Sequence, residues 1–378
     1  MTEPSYPAAR LVAPRIHAQI AQRLAKARDQ GLSALASLPD IATIEALVDA
    51  AFWASLRREE GFVPRISLAF VSPNETLYPL LFERPLALDP GALTRVAPAV
   101  ERAGIHLGVW GAPGSLSVWG TTRTIPSGGF VLEVSAPGLL VVKQHRGQQP
   151  GKFVNVAILE GDTIKVVESR AASLDYPAIL RSFLADSPAT NTSSANVLVQ
   201  LAVSMRAHRR GGVLLVVPPG TNAWHESVVQ PISYALSPSF AEVAFLSREN
   251  PVDEERRRVW QEALERSVDA VAGLTAVDGA TVMTADYELL AFGAKIARRK
   301  TWPQVDRVTM SEPIEGAVPT VVDAAYLGGT RHLAAAQFTH DQRDSVACVA
   351  SQDGRFTIFA WSSHEATVHA HRVETRLL

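Results

Sequence analysis

The chain has 378 residues, 47% hydrophobic and 20% charged, a balance that excludes a disordered polypeptide and points to a soluble globular protein of two domains. With 36 Lys and Arg against 38 Asp and Glu, the net charge of −2 gives no global attraction to nucleic acid or to an anionic membrane. Cys348 is the sole cysteine, which excludes a disulfide framework and a cysteine-based zinc site; within the apolar run 346–350 it reads as a small buried hydrophobe.

No stretch reaches the roughly 20 apolar residues of a membrane span. The opening Met1-Thr2-Glu3-Pro4 lacks a basic segment followed by an apolar one, so the expected location is the cytoplasm.

Taken in chain order, residues 13–31 read as an amphipathic helix with Ile16, Ile20 and Leu24 at four-residue spacing and Gly31 as its stop. Asp40 caps a second helix, with Ile44, Leu47, Val48 and Ala51 in its apolar stripe and Gly61 closing it. Residues 65–71 form a strand, and Asp89 caps a third helix ending near Gly104. From 105 to 167, β-rich runs at 129–134, 139–142, 153–159 and 163–167 alternate with Gly/Pro turns, giving an α+β domain with a substantial antiparallel sheet. The polar, breaker-rich segment 187–194 marks the boundary between domains 1–188 and 189–378.

Beyond it the pattern becomes a layered α/β one. A helix runs from Ser194 to about His208, a buried strand spans 213–217, and 242–246 is a further strand candidate. Asp253 opens a long helix with Val259, Trp260, Leu264, Val268 and Val271 on one side. Strands at 280–283 and 289–292, a helix opening at Gly329, and strands at 346–350, 356–361 and 367–373 complete a mixed central sheet with flanking helices. The basic runs at 206–210, 256–258 and 298–300 read as solvated helix ends and faces.

Two motifs carry chemistry. In Val277-Asp278-Gly279-Ala280 the carboxylate can take a divalent metal or a sugar hydroxyl, Gly279 allows close approach, and small Ala280 leaves room for a flat base; an Asp-Gly pair is equally a common turn. In Leu327-Gly328-Gly329-Thr330-Arg331-His332, followed by an Ala-rich run, a glycine loop feeds a helix N-terminus. Free N–H groups and Arg331 there suit phosphate.

Together, and followed by Val349-Ala350-Ser351-Gln352-Asp353-Gly354, these motifs resemble the diadenylate cyclase (DisA N-terminal-like) family over residues 190–365. Residues 1–190 carry no comparable resemblance. The resemblance implies that Asp278 binds Mg2+ or Mn2+ and activates a ribose hydroxyl, with Asp353 as a second metal residue. It also implies that Gly279, Ala280, Gly329, Thr330, Arg331 and Ser351 hold the nucleotide, and that His332 stands beside Arg331 in the catalytic set. The implied ligand is ATP or a cyclic dinucleotide. The implied assembly is a homodimer or larger homo-oligomer in which two ATP give cyclic di-AMP and pyrophosphate.

Three departures bear on turnover. Leu333 stands where the family has a second arginine, residues 300–319 look like an insertion, and Asp353 is shorter than the family's glutamate. They bring the chain closest to the related DACNV-type probable sensors. The leading expectation is therefore a nucleotide sensor, with an active diadenylate cyclase and a ligand-free interaction module as alternatives. His364, His369 and His371 gather near the C-terminus, with 369 and 371 on one strand face, as a metal site or as edge-strand histidines.

Overall fold

The computed structural model describes residues 5–32, 34–146, 153–167, 193–249, 251 and 253–377. The chain divides into two compact units, Met1–Ser169 and Arg170–Leu378. Both pack helices on large mixed sheets. The expected boundary at 188/189 and residues 187–192 of the breaker-rich segment lie outside the described residues.

In the N-terminal unit, α1 (Pro7–Asp29) begins earlier than the spacing predicts, with Pro7 at its first position and Pro14 tolerated inside. Helix α2 (Ile41–Ser55) starts where expected, because the Asp40 carboxylate accepts from Thr43 N at 2.7 Å; it stops at Ser55, short of Gly61. Asp89 likewise accepts from Ala92 N, at 2.9 Å, and caps α3 (Pro90–Val96). The chain then tightens into a 3-10 turn, Ala97–Val100, and does not continue as helix to Gly104.

The strands are β1 (Ile66–Phe70), β2 (Leu80–Ala87), β3 (His106–Trp110), β4 (Ser117–Thr122), β5 (Phe130–Ala136), β6 (Leu139–His145), β7 (Phe153–Glu160) and β8 (Thr163–Val166). They order as β2-β4-β3-β1-β5-β6-β7-β8, antiparallel except for β1 beside β3. Ile16, Ile20, Leu47 and Val48 of the two long helices are fully buried with Leu68, Leu107, Leu132 and Leu140 of the sheet.

In the C-terminal unit, α4 (Ser193–Ala207) leads into β9 (Gly212–Val217), all six of whose residues are buried. Alternate side chains of β9 serve two cores, as a strand covered on both faces requires. Leu214 and Val216 pack with Leu201 of α4 and with Leu264, Val268 and Val271 of α6 (Glu254–Leu274). Val213, Leu215 and Val217 pack with Ala335, Ala336 and Phe338 of α7 (Thr330–Asp341).

The remaining strands are β10 (Tyr234–Phe240), β11 (Ala280–Thr284), β12 (Leu289–Ala294), β13 (Arg307–Ser311), β14 (Thr320–Asp323), β15 (Val346–Ala350), β16 (Phe356–Ser362) and β17 (Thr367–Arg372). Their order is β10-β12-β11-β9-β15-β16-β17-β13-β14, with β9 parallel to β11 and β13 parallel to β17.

Two expectations change. Residues 242–246 belong to helix α5 (Glu242–Arg248), not a strand: Val243, Ala244 and Ser247 are buried at helical spacing while Phe245 is 64% exposed. Val259 is 63% exposed and lies off the apolar side of α6. The segment read as an insertion, 300–319, contributes β13 to the sheet. No described helix is long and apolar enough to cross a membrane.

Candidate functional site

Strand register brings the predicted residues to one end of the C-terminal sheet. Ala280 pairs with Val213, Val213 with Val349, and Ala350 with both Gly212 and Phe356. The starts of β9, β11 and β16 and the end of β15 therefore share an edge, and Ala280 and Val349 stand two strand spacings, about 10 Å, apart. Asp278 and Gly279 sit just outside β11, and Ser351 just outside β15.

The Asp278 loop is fixed from both sides. Gly279 has φ +104°, and a Cβ there would lie 2.5 Å from the Gly293 carbonyl carbon, so two backbones touch where no side chain fits. On the other side, Gly212 packs against the Thr275 carbonyl at the end of α6. Asp278 itself is exposed, and no hydrogen bond or ion pair engages its carboxylate among the described residues.

Gly329 is the N-cap of α7, and its carbonyl takes the first helical bond from His332 N at 3.0 Å. Gly329 and Thr330 are exposed, and Arg331 is half-buried. A Cβ on Gly211 would stand 2.8 Å from Arg331 Nη1 and 3.3 Å from the Ala350 carbonyl oxygen, which places the guanidinium at the mouth of β9.

His332 is buried beneath this surface. Its Nε2 is 3.5 Å from Ser351 Oγ, its ring meets Phe359 edge-on at 6.1 Å, and the absent Cβ of Gly328 leaves room for Nδ1. Burial, and after it the nearby Arg372, lowers its pKa, which keeps the imidazole neutral near pH 7; Asp353 acts in the opposite direction.

The turn carrying Ser351 and Asp353 is braced from below. Ser351 N donates to Arg355 O at 2.9 Å, and Arg206 Nε donates to Gly354 O at 2.8 Å. Arg206 also donates to Leu377 O, in the short helix α8 (Glu374–Leu377), so this member of the 206–210 run is structural and not a solvated helix end. Asp353 faces Arg355, with Nε to Oδ2 at 3.3 Å. Among the described residues no group of three or more His, Cys, Asp or Glu gathers as metal ligands.

Sequence reasoning missed Arg355 and Arg372, which both act on His332: Arg355 stands in the turn before β16, and strand pairing sets Arg372 opposite Thr357 across β16 and β17. Two of the three C-terminal histidines are partners of other side chains. His371 Nδ1 lies 2.7 Å from Ser311 Oγ, and His369 Nε2 lies 2.9 Å from Glu365. Cys348 is fully buried and its thiol is pushed up to about 12, as an inert core residue. A separate cleft, lined by Trp224, Arg299, Trp302, Asp341 and Arg343, lies at the other end of the sheet, beyond Val217.

The N-terminal unit holds a buried polar pair on neighbouring parallel strands, His106 Nδ1 and Ser67 Oγ at 2.7 Å. Burial holds the His106 pKa at about 4, so this imidazole too is neutral.

Residues 33–123 match the family model described as "Probable sensor domain DACNV". The match runs from before α2 to the end of β4, in the unit that sequence reasoning left without a family, and stops short of the residues that carry the cyclase resemblance. No curated protein matches the chain.

Proposed function

We propose that this chain is a nucleotide sensor whose C-terminal unit binds ATP or a cyclic dinucleotide at the sheet end bearing Asp278, Gly329 and Arg331. The sensor assignment draws on the match over residues 33–123. The ligand assignment draws on one observation above all: a half-buried arginine stands at a helix N-terminus, on the same sheet end as an aspartate, and among the described residues neither has a charged partner. Such a guanidinium, with the free N–H groups of the first helical turn, favours phosphate.

A divalent cation fits this arrangement through one carboxylate. Mg2+ keeps several waters and takes the rest of its ligands from phosphate oxygens, so Asp278 alone would hold it beside a triphosphate. Asp353 fits less well, because Arg355 already engages it. When bound, the metal would neutralise phosphate charge. The protein's part is to orient the phosphates on Arg331 and the Thr330 N–H and to hold the ribose side near Asp278.

The sensor reading is favoured over turnover because His332 is buried and neutral and Leu333 adds no cation. Arg331→Ala and Asp278→Asn are expected to weaken ATP binding, the former by roughly ten- to a hundredfold. Incubation of the chain with ATP and Mn2+, followed by mass spectrometry, is expected to yield little or no cyclic di-AMP. Robust synthesis abolished by Asp278→Asn would make the protein a cyclase instead.

A further inference from the structure

We propose that Arg372 supplies a second phosphate-binding guanidinium at this site, beside Arg331. The inference rests on the nucleotide-binding reading and names the part of the ligand it recognises: the di- or triphosphate group.

Arg372 is the last residue of β17 and lies opposite Thr357, while Val373 N donates to Phe356 O at 2.9 Å. That locks Arg372 to the start of β16, the strand whose first residue pairs with Ala350. From the other direction Arg331 comes to the same end of the sheet, against Gly211 and the Ala350 carbonyl. His332 and Ser351, 3.5 Å apart, lie at this same end of the sheet.

The charges here do not balance. Arg331, Arg355 and Arg372 all act on His332, against the single carboxylate Asp353. Asp353 is already committed to Arg355 through both its oxygens, each at 3.3 Å. Arg331 and Arg372 are both half-buried, and neither has a hydrogen-bonding or carboxylate partner among the described residues. Two partly desolvated like charges without a counter-ion repel each other, and an anion shared between them removes that cost. A polyphosphate has the charge and the paired acceptor oxygens that planar guanidinium forks can engage bidentately.

Solvated arginines at a sheet edge are the plain alternative, and the two predict different titrations. The full-length chain, wild type and with Arg372→Gln, Arg372→Lys or Arg331→Gln, would be titrated with ATP plus Mg2+ and with inorganic pyrophosphate, at low and moderate salt. Arg372→Gln is expected to weaken both ligands about tenfold or more and to flatten the salt dependence, with the melting temperature held near wild type. Arg372→Lys should recover part of the loss.

If Arg372→Gln binds both ligands like wild type while Arg331→Gln does not, the inference fails and the nucleotide reading stands. If wild type binds pyrophosphate through Arg372 but no adenine nucleotide, the arginine pair stands and the nucleotide reading fails. If wild type binds neither ligand, the inference is overturned, and the nucleotide reading then rests on cyclic di-AMP alone.

Discussion

Gly211 and Arg331 fit against one another so closely that a methyl carbon on the glycine would lie 2.8 Å from the guanidinium Nη1. The glycine also holds φ at +71°, a conformation other residues adopt with strain. Gly211→Ala is therefore expected to act twice. Backbone strain should cost about 1 kcal/mol, read as a lower midpoint in denaturant, and the displaced Arg331 should lose about tenfold in ATP affinity by calorimetry. An alanine variant that is destabilised but binds ATP like wild type would remove Arg331 from the binding surface.

A second test falls on the loop that presents Asp278. A Cβ at Gly279 would lie 2.5 Å from backbone carbon and 2.8 Å from backbone oxygen of Gly293, and neither can swing aside as a side chain can. Gly279→Ala is expected to destabilise the protein by about 2–4 kcal/mol. Urea unfolding measures it, and an unchanged midpoint would contradict the described approach of the two strands.

Acid sensitivity is the third. His106 has a pKa of about 4 in the folded chain against 6.5 when exposed, so the unfolded state binds the extra proton first. The stability gained by keeping this ring neutral is fully present above pH 6.5 and is lost as pH falls toward 4. Between pH 6.5 and 4.5 the loss should reach about 2 kcal/mol, and His106→Gln should flatten that slope. An identical pH dependence in the variant would mean that other groups control acid unfolding.

The sequence was most legible where one physical signal dominated. The continuous apolar runs of β9 and β15 announced strands buried on both faces, and Asp40 and Asp89 announced helix starts that their carboxylates do cap. Two edge strands escaped the sequence: β2, with Pro85 and an almost wholly exposed pattern, and β10, with Pro238 within it, show no alternation of buried and exposed residues. Helix α5 was misread because four consecutive apolar residues hide a helical period that only burial reveals. At the site, Asp278, Arg331, His332 and Ser351 stood out through local motifs. Arg355 and Arg372 did not, because only the pairing of β16 with β17 brings Arg372 near the α7 N-terminus.

On the proposed function, the C-terminal unit holds an adenine nucleotide through Arg331 and Asp278. Isothermal titration of the intact protein with ATP and Mg2+, and separately with cyclic di-AMP, tests it most directly. Saturable binding of at least one of these ligands is expected, weakened in both Arg331→Ala and Asp278→Asn. Absence of heat with every adenine nucleotide, or binding that neither substitution affects, would contradict it.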